Sequence, residues 1–112
     1  VDGGMADNPR VALYQADYTA RVAQRAGMKP DQAVRIVGRF CESSDVLIPQ
    51  ISLPKLQRRD VLAVPAAGAY QLSMASNYNF ATRPAVLWLE DGHVEVMQNR
   101  EHPDQPCWWM NI

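Results

Sequence analysis

The sequence predicts a mostly-β fold, a Greek-key-like β-barrel or sandwich with one short N-terminal helix and one helix near residues 68–78. Three observations predict it. Several short runs alternate apolar and polar positions with period two, each bounded by glycine, proline or aspartate. Asp91-Gly92 stands between two such runs and is a strong two-residue hairpin signal. Residues 68–78 alone change to a helical period, with Tyr70, Met74 and Tyr78 recurring every fourth position.

Taken in order, Val1-Asp2-Gly3-Gly4-Met5 reads as the end of a buried strand running into a glycine turn, the start expected of a piece of a longer protein. Asn8 as cap and Pro9 at the first helical position begin a short helix through about Tyr14, which puts Arg10 and Tyr14 four apart on one face. Residues 18–23 alternate as a strand with Tyr18, Ala20 and Val22 on one side. A loop over 24–32 contains Gly27 and Lys29-Pro30-Asp31. Val34, Ile36 and Gly38 then mark the inner face of a second strand that delivers Phe40 and Cys41 at its end.

Residues 46–48 resume the apolar pattern, with Pro49 and Pro54 restricting the run to an edge strand or an irregular extended piece. A charged surface turn over 55–60 leads into Val61-Leu62-Ala63-Val64, a continuous apolar run that as a strand would be buried on both sides. Strands at 85–89 and 93–97 flank the Asp91-Gly92 turn. The tail, with Pro103, Pro106 and Cys107-Trp108-Trp109-Met110, has no clear period and either docks on the body or hangs loose.

A chain of 112 residues is one domain, able to bury about two-thirds of its unfolded surface. Its net charge of -1 supplies no field to attract nucleic acid or an anionic membrane, so neither is an expected partner. Cys41 and Cys107 form no CxxC pair, and His93 and His102 no ligand pattern, which argues against a disulfide framework and a zinc site. No apolar run approaches the ~20 residues needed to cross a bilayer and no signal sequence opens the chain, so the expected setting is cytoplasmic.

The stretch that organises the chain is Phe40-Cys41-Glu42-Ser43-Ser44-Asp45. A thiol beside a carboxylate, on a short link between strands, reads as the edge of an active site. Each candidate also has a plainer reading. Cys41 alone would be a small buried hydrophobe, Arg10 and Tyr14 a solvated stacked pair, and Met74 a helix residue packed on a sheet. Composition and periodicity do not show an enzyme.

Four segments in this order do more: Val1-Asp2-Gly3-Gly4-Met5, Arg10-Val11-Ala12-Leu13-Tyr14, the 40–45 stretch, and Gly68-Ala69-Tyr70-Gln71-Leu72-Ser73-Met74-Ala75-Ser76-Asn77-Tyr78-Asn79. Together they resemble the C-terminal domain of the diaminopimelate decarboxylase family, pyridoxal-phosphate (PLP) enzymes of the alanine-racemase-like fold. The resemblance runs from Val1 to about Arg100. It implies that 1–112 is a β domain whose PLP-binding (β/α)8 barrel is absent from the chain. It further implies a homodimer with shared active sites and a complete enzyme that converts meso-diaminopimelate to L-lysine and carbon dioxide. The lysine that holds the cofactor lies in the barrel of such enzymes, so neither Lys29 nor Lys55 takes that role and this chain alone is expected to be inactive.

By the same resemblance Arg10 and Tyr14 match positions that hold the distal carboxylate, a role that suits a planar fork of donors and a hydroxyl. Glu42 matches the position that meets the distal ammonium. Cys41 matches the proton donor, and an ordinary thiol does hold its proton at neutral pH. Tyr70 matches a tyrosine that reaches both cofactor and substrate, while 73–79 builds the helix and a subunit contact. Ser44 and Val11 depart from the family, which commonly has glycine and proline there, and the tail from His102 has no counterpart.

Two other functions compete. A decarboxylase of another basic amino acid or a polyamine precursor would leave Arg10 unpaired in its pocket. A non-catalytic interaction module would use the same surface without chemistry.

Overall fold

The computed structural model describes residues 1–104, so Pro106 and the Cys107-Trp108-Trp109-Met110 cluster lie outside the described residues. The chain divides into two compact units, Val1–Ala75 and a second that begins at Ser76. Among the described residues there are three two-stranded antiparallel sheets.

The first unit is built on β2 (Gln32–Val37) and β3 (Val46–Leu53). Alternation dictates their inner face. Ile36, Ile48 and Leu53 are buried with Ala20, and Tyr18, Leu62 and Val64 pack around them. Each fully buried aliphatic side chain of this kind contributes about 1.5–3 kcal/mol relative to exposure. β3 continues through Pro49 because the ladder bulges there. Val34 pairs with Ile51 and Ile36 with Ile48, so Arg35 faces both Pro49 and Gln50. A bulge leaves a residue out of the ladder, which is where a proline without an N–H is tolerated. The expected edge strand is thus found, since β2 is the single partner of β3 among the described residues, and it runs its full length with a bulge.

β1 (Arg21–Val22) pairs with β4 (Leu62–Ala63). The expected strand over 18–23 keeps its alternation, with Ala20 and Val22 buried and Thr19, Arg21 and Ala23 exposed, but its ladder is only two residues long. It stops because a 3-10 turn, Ala23–Arg25, follows at once. Arg25 fixes that turn by ion-pairing with Asp60 and by donating to the Lys55 carbonyl at 3.1 Å. The run 61–64 is not buried on both sides. Val61 and Ala63 are exposed and Leu62 and Val64 half-buried, because β4 has a single partner and one covered face.

Two short helices flank these strands, α1 (Arg10–Tyr14) and α2 (Gln71–Met74). The expected helix over 68–78 is therefore reduced to one turn. Tyr70 enters it in the left-handed region with φ 73°, and Ala75 leaves it in an extended conformation. Local side-chain bonds compete with the helix on both sides. The Ser73 hydroxyl donates to the Tyr70 carbonyl at 2.9 Å, and the Asn77 amide donates to the Ala81 carbonyl at 3.0 Å. A second 3-10 segment, Tyr78–Phe80, contains Asn79 at φ 54°.

The second unit contains the hairpin of β5 (Val86–Glu90) and β6 (His93–Gln98), with Glu90 opposite His93. Asp91 and Gly92 both have positive φ, 48° and 78°, as a type I′ turn requires. Glu101 fastens the base of this unit, accepting from the Arg83 backbone N–H at 2.8 Å and from the Asn77 amide at 2.5 Å. The mostly-β class with two short helices holds, and among the described residues no ladder joins one sheet to the next.

Candidate active site

The site's first half starts at the glycine turn. Gly4 O accepts from the backbone N–H groups of Asp7 and Asn8 at 2.9 and 3.0 Å, and Gly4 N donates to Asp7 Oδ2 at 2.9 Å. This turn aims the chain into α1. Pro9, not Asn8, is the N-cap residue, and no side chain caps the helix. The Asn8 side chain lies instead 2.8 Å from the amide of Gln71, which explains why its expected capping role fails.

Arg10, in the first turn of α1, is held from two sides. Its Nη1 donates to the Tyr18 hydroxyl at 3.3 Å, and its guanidinium carbon lies 5.3 Å from the centre of the Tyr70 ring. A guanidinium at that distance over an aromatic face is attracted by the ring quadrupole. Tyr70 is 65% exposed and Tyr14, one turn beyond Arg10, is 64% exposed. Both phenols are therefore available to a ligand.

Gln71 is 8% exposed, and its amide lies 2.8 Å from the hydroxyl of Tyr18, the partner of Arg10. The amide orientation that satisfies its surroundings places Oε1 2.8 Å from the Tyr18 hydroxyl and 2.8 Å from the Asn8 side chain, whose amide then donates to it, with Nε2 donating to the carbonyls of Ala67, at 2.7 Å, and Ala69.

The second half is the loop between β2 and β3. Its hub is Asp45, 3% exposed. Asp45 Oδ1 accepts from Met5 N at 2.7 Å and Oδ2 from Phe40 N at 2.8 Å. The Asp45 carbonyl accepts from Gly38 N at 2.9 Å, and its N–H donates to the Glu42 carbonyl at 3.1 Å. Gly38 and Gly4 make room for this hub. A Cβ at Gly38 would collide with the Asp45 carboxylate, and one at Gly4 would come within 2.6 Å of the Phe40 ring. With Phe40 and Asp45 buried, Cys41 and Glu42 are turned out to solvent. Cys41 is a free thiol with φ 57°, an uncommon conformation for a side-chain-bearing residue.

The structure thus brings Arg10 and Tyr70 together, carries Tyr14 on the same helix as Arg10, and sets Cys41 and Glu42 on another loop of the same unit. Tyr18, Gln71 and Asp45 were not assigned roles from the sequence. Tyr18 had a readable signal, since a tyrosine on an inward strand face needs a partner for its hydroxyl. The bond between Asp45 and Met5 spans forty positions and has no local signature.

The fit to PLP is partial. Lys29 and Lys55 are exposed, whereas the donors gathered at one place are the Arg10 guanidinium and the Tyr70 phenol. These suit an anionic group such as a carboxylate or phosphate rather than covalent attachment of an aldehyde.

Residues 1–68 match the model of the pyridoxal-dependent decarboxylase C-terminal sheet domain. The chain belongs to this family. Within it, the diaminopimelate decarboxylase of Bacillus subtilis (strain 168) is 52% identical over 101 residues, covering 90% of this chain and 23% of that protein. The diaminopimelate decarboxylase of Helicobacter pylori, solved in complex with L-lysine, superposes with a TM-score of 0.82 at 38% identity, over 93% of this chain and 25% of that one. The enzyme of M. jannaschii in co-complex with L-lysine gives 0.82 at 36% identity, over 91% and 23%. The chain spans about a quarter of the length of the relatives it matches. Among the described residues of this sheet domain, no helix is long and apolar enough to cross a membrane.

Proposed function

We propose that the chain is the β domain of a cytoplasmic meso-diaminopimelate decarboxylase that works with a PLP-binding (β/α)8 barrel in a homodimer. The observation that carries this reading is the 52% identity to a diaminopimelate decarboxylase across 90% of the chain. The geometry supports it. The two solved relatives hold L-lysine, the compound this reaction would release.

PLP, when bound, supplies the electron sink for the pair left behind as the carboxylate departs. The chain's own residues do the rest. Arg10, steadied by Tyr18 and the Tyr70 ring, offers N–H donors to the distal carboxylate, and Tyr14 adds a hydroxyl from the same helix. Glu42 accepts hydrogen bonds from the distal ammonium. Cys41 Sγ gives its proton to the carbon that has lost carbon dioxide, and water restores it. Tyr70, with its exposed phenol, would reach both cofactor and substrate. The exposure of Cys41 and Glu42 fits a loop that reaches into a site completed by another chain.

The test is turnover of the chain joined to its barrel on diaminopimelate, ornithine and arginine. Release of L-lysine from diaminopimelate, with the other two turned over at least 100-fold less efficiently, is expected. Comparable kcat/KM on ornithine or arginine overturns the assignment.

A further inference from the structure

We infer that Tyr18 is a positioning residue that sets selectivity for a substrate carrying a distal carboxylate, by passing a hydrogen bond from Arg10 on to Gln71. The inference rests on the proposed role of Arg10. Its basis is donor and acceptor arithmetic. An arginine only donates, and a phenol has a single proton. Since Arg10 Nη1 donates to the Tyr18 oxygen, the Tyr18 proton must go elsewhere, and the buried Gln71 amide lies 2.8 Å away. The acceptor there is Oε1.

That choice propagates. With Oε1 taken by Tyr18, Nε2 of Gln71 donates to the carbonyls of Ala67 and Ala69, the backbone that leads directly into Tyr70. Tyr70 sits in the left-handed region at φ 73°, a conformation that needs such support to persist. One hydroxyl therefore orders both the guanidinium and the ring beneath it. Tyr18 engages one of the five N–H donors of Arg10 and leaves a fork for two-point contact with a carboxylate. Loss of the hydroxyl removes the hydrogen bond that holds Arg10 and takes one donor from a buried amide, without touching the reacting carbon.

The test compares L-lysine with cadaverine, which differ only in the carboxylate that Arg10 would hold. Calorimetry on the decarboxylase comprising this chain and its barrel gives the affinity of each compound for the unaltered enzyme, Arg10→Ala, Tyr18→Phe and Gln71→Met. Tyr18→Phe is expected to weaken L-lysine about tenfold while leaving cadaverine within twofold, and to add little to Arg10→Ala in the double variant. Gln71→Met, which removes the acceptor at similar volume, is expected to repeat the selective loss and serves if Tyr18→Phe does not fold. Equal weakening of both compounds by Tyr18→Phe overturns the inference by showing a merely structural role. Selective loss in Arg10→Ala but none in Tyr18→Phe or Gln71→Met overturns it while leaving the proposed function intact. No selective loss even in Arg10→Ala overturns the proposed role of Arg10 and this inference with it.

Discussion

The backbone N–H of Phe40 donates to Asp45 Oδ2 at 2.8 Å, closing the loop that carries Cys41. The other oxygen of the same carboxylate accepts from Met5, so one buried group joins the chain's opening segment to both ends of the loop. Asp45→Ala would leave those N–H groups without an acceptor, and a buried donor left unsatisfied costs about 1–3 kcal/mol. Urea unfolding should show a loss of about 3 kcal/mol. Asp45→Asn keeps the shape but offers one acceptor oxygen instead of two, so it should fall between. A wild-type midpoint for Asp45→Ala would contradict the hub role.

Cys41→Gly separates the thiol's chemistry from its backbone. The residue sits at φ 57°, where a Cβ is strained and glycine is not. Thermal unfolding of Cys41→Gly should match or exceed wild type, by up to ~1 kcal/mol after the greater freedom of the unfolded glycine is counted. Turnover by the complete enzyme should drop about 10²- to 10⁴-fold, the range for a lost general acid. A stable variant with normal turnover would remove Cys41 from the proton-donor role.

Glu101 makes stability of the second unit depend on pH. The Arg83 backbone N–H donates to its carboxylate and outweighs the opposing effect of burial, with the Asn77 amide and the Arg83 charge adding to it, so its pKa lies below the ordinary 4.5. A carboxyl depressed in the folded state contributes stability that is present above its unfolded pKa and lost as pH falls through the folded one. Hydrogen exchange of the β5–β6 amides should therefore show Glu101→Gln less protected than wild type above about pH 5, with the difference shrinking on acidification. A difference that grows toward low pH would reverse the sign.

Local chemistry explains what was legible. Asp91-Gly92 specifies its own type I′ turn, and the alternation of Val34 and Ile36 with Arg35 and Val37 sorts by water alone, so both appear as read. The four-residue stripe Tyr70, Met74, Tyr78 misled because Ser73 and Asn77 bond backbone carbonyls from their side chains and Tyr70 turns left-handed. Arg10 and Tyr70 could each be named from the resemblance, but not the link between them. That link runs through Tyr18 and Gln71, fifty-three positions apart, and exists only once α1 and α2 are folded.

Sharing of the site between subunits yields a quantitative outcome. In the proposed dimer Cys41 and Glu42 reach the partner's site, while Arg10, Tyr14 and Tyr70 serve their own. Cys41→Ala and Arg10→Ala homodimers should each be nearly inactive. If the two are mixed and subunits exchange freely, about half the dimers contain one chain of each kind, as two-fold symmetry requires. In each mixed dimer one site combines an intact Arg10 from its own chain with an intact Cys41 from the other, and the second site lacks both. About a quarter of wild-type activity should return, since half the dimers each regain one site of two. Native mass spectrometry verifies the exchange independently of activity. Exchange without recovered turnover would place Arg10 and Cys41 in the same subunit's site and exclude sharing.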